Sequence, residues 1–284
     1  MDHLQHILYY DLEHERSHLS DAINEALLAP AFDPMDFENW CRIVTYKHSN
    51  APLSAMGSLT DVGGRFNIGR DVDCVRGPFP ALYIAESYGT AYREKFGLSH
   101  GELIDGLTPE ELALVDQSQS TANVRIRGHI EKVFDIRDPH VLEPFCRVIA
   151  KIKQPRLVKD LSQRLKLRGR KLMIRSTSQL GTALSSNWRG VPVQFGLPST
   201  SQIFAKLVLD AGYEAIRYSS TKNPTKSCLA VFPSNLGSDK TYVELVDEHP
   251  PNVSHSRLCL DTCEDLCGWT ALAPSMLAKM GIKS

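Results

Sequence analysis

Gly63-Gly64-Arg65-Phe66-Asn67, then Ala81-Leu82-Tyr83-Ile84-Ala85-Glu86-Ser87, then Thr90-Ala91-Tyr92-Arg93-Glu94 are the stretches that decide how this chain folds. Adjacent glycines reach backbone conformations closed to other residues, so the first stretch is a turn. Phe79 to Ala85 is short and apolar enough for a buried strand, and Ser87 to Phe96 follows as a short helix. Upstream, Trp40-Cys41-Arg42-Ile43-Val44 is a strand. Downstream, Thr108 opens a helix with Glu110 and Glu111 favourable in its first turn. Val124, Ile126, Ile130 and Val133 carry strand-like alternation, with Gly128 a bulge or turn. Ser199 and Gln202 form a capping box ahead of a helix that Gly212 stops. Ala215 to Tyr218, Cys228 to Phe232 and Tyr242 to Val246 are further strands. Strands and helices interleave, so the expected class is α+β with a mixed sheet and helical additions.

The flanks differ in texture. Leu19, Ile23 and Leu27 recur at helical spacing, Ser17 is placed to cap that helix, and Pro30 and Pro34 stop it. The expected organisation is an N-terminal helical extension over 1–35, a catalytic domain over 36–235 with a basic helical insertion at about 140–195, and a C-terminal extension over 236–284 packed on the core. The insertion contains Lys151 to Arg175, where ten Lys and Arg stand against the single acid Asp160, with Leu157, Leu161, Leu165 and Leu172 as an apolar stripe. Such a segment is either a solvated surface helix or a dock for an acidic or phosphate-bearing partner.

Across 284 residues the net charge is -1, which excludes a globally basic nucleic-acid binder. Hydrophobic content of 42% and charged content of 23% are those of a globular protein. No apolar run approaches the ~18 residues of a membrane-spanning helix. The start, Met1-Asp2-His3-Leu4-Gln5-His6, lacks a basic and then apolar signal pattern. The seven cysteines have no paired spacing. These features lead to the expectation of a reducing, cytoplasmic location, with delivery as a secreted effector as the alternative.

Three constellations bear chemistry. His14-Glu15-Arg16-Ser17-His18 matches a zinc-peptidase helix, with Glu38 as a third ligand. Only thirteen residues precede it, and the flanks are polar, so a charged surface helix is the simpler account. His255, Cys259, Cys263 and Cys267 step by four, which on one helix spreads them over roughly 18 Å, too far for one ion. Small buried thiols explain them better. The third set is Arg42, the glycine turn with Arg65 and Asn67, Tyr83, Glu94 and a serine near the C-terminal strands. Arginine forks suit phosphate oxygens. A tyrosine can stack on a planar ring. A carboxylate stabilises positive charge developing on a sugar carbon. A substrate with phosphates, an aromatic ring and a glycosidic bond fits the set, and NAD has all three. Taken singly, each residue also has a structural explanation: a surface ion pair for the arginines, core packing for Tyr83, helix surface for Glu94.

The quoted stretches, together with Trp40-Cys41-Arg42, Ala211-Gly212-Tyr213-Glu214-Ala215-Ile216-Arg217-Tyr218-Ser219-Ser220 and Leu229-Ala230-Val231-Phe232, resemble the RES domain family, named for an arginine, a glutamate and a serine. The resemblance runs from about Trp40 to Phe232. It implies a fold similar to ADP-ribosyltransferase toxins. It also implies a toxin of a bacterial toxin–antitoxin pair that consumes NAD by hydrolysis or phosphorolysis, or transfers ADP-ribose to a protein or nucleic acid. NAD is then a substrate, and neither a metal nor a redox cofactor is implied. The implied partner is an antitoxin or immunity protein. By the same resemblance Arg42 and Arg65 lie near the pyrophosphate with Asn67 beside them, Tyr83 lies against nicotinamide or ribose, and Glu94 is the catalytic carboxylate. Ser199 matches the serine ahead of the family's helix and is preferred; Ser220 matches the serine after the closing strand. The departures are Ile43, Cys228, the long stretch between Glu94 and Ser199, and both extensions. A binding module that keeps the fold and uses 151–175 is the non-enzymatic alternative.

Overall fold

Residues 121–130 alternate between outward and enclosed positions, the pattern of a strand with one face on a core. The computed structural model describes residues 2–98, 120–166 and 172–267. Along the chain come helices α1 (Asp2–His18) and α2 (Ser20–Leu28), strands β1 (Asp33–Thr45), β2 (Gly63–Gly64), β3 (Asn67–Ile68) and β4 (Leu82–Ala85), helix α3 (Tyr88–Phe96) and strand β5 (Thr121–Asp135). Helices α4 (Pro139–Ile149), α5 (Arg156–Arg164), α6 (Thr177–Ser185), α7 (Gly190–Phe195) and α8 (Thr200–Asp210) follow. Strands β6 (Ala215–Ser219), β7 (Ser227–Val231), β8 (Tyr242–Leu245) and β9 (Arg257–Leu258) and helix α9 (Cys263–Cys267) complete the described chain. They form two compact units. Met1–Phe32, Ser58–Phe79 and Phe134–Tyr213 make a mainly helical unit; Asp33–Gly57, Pro80–Val133 and Glu214–Ser284 make a sheet unit.

In the sheet unit the strand order is β1-β4-β7-β6-β5-β8-β9, and β1 also pairs with β5. Five strands therefore close on themselves: β1, β4, β7, β6, β5 and back to β1. The junctions β1–β4, β4–β7, β6–β7 and β1–β5 are antiparallel. Direction returns to itself round a ring only after an even number of reversals, so the remaining β6–β5 junction is parallel. The sheet is mixed, as expected, and the class is α+β. A parallel pair needs a long connection; here residues 136–214 supply it, with α4 to α8. The enclosed face carries Trp40, Leu82, Ile84, Ile126, Leu229 and Val231, joined by Val243, Leu258 and Leu266 from the last strands and α9.

Several expectations change. In the segment 236–284, β8 pairs with β5 and β9 with β8, so these two strands extend the sheet. Of the N-terminal helices, Ile23 and Leu27 are buried within the helical unit, where the Tyr213 hydroxyl donates to the Leu27 carbonyl at 2.7 Å. Phe134 packs edge-on against Phe204 and Tyr213 in the same unit, and burial pushes the Tyr213 phenol up to about 12. Ser17 does not cap; its hydroxyl donates to the Glu13 carbonyl within α1, and the helix breaks at Leu19. Of the basic segment, Arg156–Arg164 is helical, and 167–171 lie outside the described residues, as does the helix expected at Thr108. No helix among the described residues is long and apolar enough to cross a membrane.

Gly128 is neither bulge nor turn. It sits mid-strand opposite Phe37, and the irregularity lies on β1 between Phe37 and Trp40, where Asn39 takes a positive φ of 58°. A Cβ on Gly128 would meet the Phe37 ring at 2.6 Å and the Tyr242 carbonyl closer still. Gly128→Ala is expected to destabilise the protein by about 1–3 kcal/mol through overpacking, read as a lower urea midpoint.

Candidate active site

Leu82 and Ile84 of β4 face the core, so period-two alternation turns Tyr83 to the opposite face. Ser87 then ends the strand and starts α3: its hydroxyl accepts the Thr90 amide at 3.3 Å, a standard N-cap. Four residues on from Thr90, and so on the same helix side, stands Glu94. Helix α3 packs on β1 and β4, within the same unit.

Ser220 meets Glu94 there. Its hydroxyl is buried and accepts the amides of Lys222 at 3.1 Å and Asn223 at 2.9 Å. With both lone pairs engaged, its single proton is directed to Glu94 Oε1 at 2.5 Å. Asn223 continues the tie by donating to Thr90 Oγ1 at 3.0 Å. Glu94 Oε2 has no hydrogen-bond partner among the described residues.

Arg42 lies on β1. Its Nε donates to the Pro52 carbonyl at 2.9 Å, Nη1 to Tyr83 at 2.9 Å and Nη2 to Ser54 at 3.1 Å, leaving two of five N–H donors. Burial lowers this guanidinium to about 10. Desolvation, then the Arg42 charge, pushes Lys95 down; desolvation, then Lys47 and Lys95, pushes His48 down. Among the described residues none of Arg42, Lys95 and His48 is ion-paired to a carboxylate. Arg42 thus depresses Lys95, and Lys95 depresses His48, with no counter-ion among the described residues, which makes a place suited to an anion. Lys95 and His48 escaped the sequence reading because an isolated lysine or histidine carries no spacing signal.

The other expected residues lie in the helical unit. Strands β2 and β3 form a hairpin, with Gly63 at φ +85°, Gly64 opposite Asn67, and Arg65-Phe66 at its tip. Asn67 is fully enclosed: Oδ1 accepts the Gly64 amide at 2.8 Å, and Nδ2 donates to Ser58 at 2.6 Å. These bonds shape the turn. Arg65 Nη1 donates to the carbonyls of Leu184 at 3.0 Å and Ser186 at 2.8 Å, at the end of α6, where a cation complements the helix dipole. Ser199 has the expected capping box with Gln202 and bonds Ser201 Oγ at 3.2 Å. Gln202 Nε2 goes further and reaches the carbonyls of Val62, Gly64 and Asn67 at 2.8–3.0 Å. Of the two candidate serines, Ser220 meets the carboxylate of Glu94 within the sheet unit, and Ser199 caps α8 within the helical unit.

The zinc constellation divides between units: His14 and His18 lie one turn apart on α1, whereas Glu38 is in β1. His255 is outside any helix and pairs with Asp265 at 3.2 Å, so the fourfold step from His255 to Cys267 is not one helical stripe. Burial pushes the Cys267 thiol up to about 12, the setting of an unreactive thiol.

The RES domain family model matches residues 39–250. The chain belongs to the RES domain family. The match takes in every strand of the closed ring except the first six residues of β1, and it reaches β8 beyond the Phe232 limit of the sequence resemblance. A chain of the crystal structure of the M. tuberculosis MbcT-MbcA toxin-antitoxin complex is similar at TM-score 0.40 and 10% identity, covering 80% of this RES protein and 90% of that chain. No curated protein sequence matches.

Glu86 fastens the far end of the Ser220 loop. Lys226 Nζ lies 2.9 Å from Oε1, and the Ser227 amide donates to Oε2 at 2.8 Å. Burial pushes this carboxyl up, but those two donors outweigh it and hold it below the ordinary carboxylate value. A depressed acid stabilises the native state above its unfolded value and loses that contribution as pH falls through the native one. Glu86→Gln is therefore expected to be less stable than wild type at pH 7, with the difference closing below about pH 4, measured by thermal melts across pH.

Proposed function

We propose that this protein is an NAD-consuming enzyme that cleaves the nicotinamide–ribose bond, with its chemistry centred on Glu94 and Ser220. The observation that carries this is the Ser220–Glu94 hydrogen bond of 2.5 Å, built by a buried serine whose proton two backbone amides aim at the carboxylate. Membership of the RES family supports it, because the family's arginine, glutamate and serine then fall on Arg42, Glu94 and Ser220.

The division of labour follows from the geometry. The uncompensated charges of Arg42 and Lys95 attract the pyrophosphate. Tyr83, on the outward face of β4, positions the ring. Ser220 holds one oxygen of Glu94 and leaves Oε2 for the substrate. The C1′–N bond breaks with its electron pair passing to the pyridinium nitrogen, and nicotinamide departs neutral. Positive charge moves to the ribose ring, where the Glu94 carboxylate stabilises it. An acceptor oxygen adds to C1′ and releases its proton. Water as the acceptor makes a glycohydrolase; phosphate makes a phosphorylase.

Transfer of ADP-ribose to a macromolecule is the second reading. The favouring observation is α5 and its lead-in, where Lys151, Lys153, Arg156, Lys159, Arg164 and Lys166 are exposed beside the exposed apolar Leu157. Label moving from NAD to a protein or nucleic acid would establish it.

Purified protein incubated with NAD is expected to release nicotinamide, with or without added phosphate, and Glu94→Gln to lower the rate by at least about 100-fold. Ser220→Ala is expected to lower it about tenfold or more, whereas Ser199→Ala lowers stability by about 1 kcal/mol at the lost cap and leaves the rate per folded molecule unchanged. Absence of nicotinamide release under every acceptor condition refutes the proposal.

A further inference from the structure

The helical unit holds a half-open cavity of about 180 Å³ lined mainly by apolar side chains, among them Tyr9, Phe145, Leu180 and Leu207. Tyr9 contributes only its ring, because its hydroxyl donates to Cys74 Sγ at 3.3 Å and accepts the Val75 amide at 3.1 Å. An apolar cavity of about 150 Å³ suffices to take up benzene, so this one has room for a small organic body. Among the described residues its lining contains a single charged side chain, Arg16.

Arg16 is 9% exposed and stands at the buried end of a charge network that runs out to the exposed Asp210. Its Nε donates to Glu13 Oε2 at 2.9 Å, and its Nη2 lies 2.8 Å from the same oxygen. Glu13 also serves Arg76 at 2.5 Å; Arg76 reaches Asp210 at 3.2 Å, and Lys206 reaches Asp210 at 2.5 Å. Three cations share two carboxylates, so the network retains one unmatched positive charge. Arg16 Nη2, for all its closeness to Glu13, is buried without a hydrogen bond of proper geometry. An unsatisfied buried donor on a cation is costly unless something accepts from it.

We propose that this cavity is a binding site for a small amphipathic monocarboxylate, its apolar body among Tyr9, Phe145, Leu180 and Leu207 and its carboxylate on Arg16. One negative charge balances the network, and a carboxylate matches the guanidinium fork. A dianion would overshoot that balance beside Glu13. The site uses residues of the helical unit alone and is independent of the NAD proposal.

The test is titration of octanoate and, separately, octanol into the full chain, followed by calorimetry and by methyl NMR. Octanoate is expected to bind saturably at one site and to shift the methyls of Leu180, Ile203 and Leu207. Arg16→Met is expected to weaken octanoate about tenfold by loss of the charged hydrogen bond while changing octanol little. Leu180→Trp, which fills the space, is expected to abolish both. Should Arg16→Met fail to fold, Arg16→Lys keeps the charge but loses the fork, and is expected to weaken octanoate selectively. No saturable binding to wild type, shifts centred elsewhere, or octanoate affinity unchanged in the Arg16 variant or in Leu180→Trp overturns the proposal.

Discussion

The pairing of β5 with β1 is the constraint on which the sheet unit depends. Over Trp40 to Thr45 the two strands run in continuous register, and this contact turns an open order of strands into a ring. A five-membered ring cannot be antiparallel throughout, so one junction must be parallel, and that junction needs a long connection. The helices from Pro139 to Asp210 lie in this connection. Within the ring, the β4–β7 and β7–β6 pairings set the carboxyl side of β4 and the segment after β6 at the same edge, which is where Glu94 and Ser220 stand. Gly128 shows how tight the closure is: even one methyl group has no room between Phe37 and the Tyr242 backbone.

Polar side chains in this protein act across long sequence separations more than their local motifs suggest. The Ser199–Gln202 box is a helix cap by pattern, yet Gln202 also gathers three carbonyls of the glycine turn more than 130 positions earlier. Arg42 gathers three carbonyls in the sheet unit, one of them on β4. The same hydrogen-bonding capacity that suits arginine to phosphate here organises backbone, and two N–H groups remain beyond it. Electrostatics separates the two roles. Arg76 and Arg16 are paired with carboxylates, whereas Arg42 depresses Lys95 and Lys95 depresses His48, with no carboxylate in reply among the described residues.

Much of the site was legible before any fold was known. Tyr83 in an apolar run and Glu94 on the short helix from Ser87 are local readings, and local devices form wherever the chain goes. The capping box at Ser199 was legible for the same reason, while the preference for Ser199 as the site serine came from its match to the serine ahead of the family's helix. Ser220 has no such local signature. Its partner lies 126 residues away, and only pairing of β6 with β7 and of β7 with β4 brings its loop to α3. The charge environment of Lys95 and His48 was illegible because it depends on which cations share a wall.

Alternation, turn residues and capping patterns thus determined several strands and helices and the α+β class, since each depends on neighbours within a few positions, while the arginine–tyrosine–glutamate series rested on residue chemistry and the resemblance to RES domains. Tertiary structure decided which termini belong to the sheet, which glycine is a close contact instead of a turn, and which serine meets the carboxylate. Those outcomes turn on strand pairing between residues far apart in the chain, and one local pattern is compatible with many such pairings.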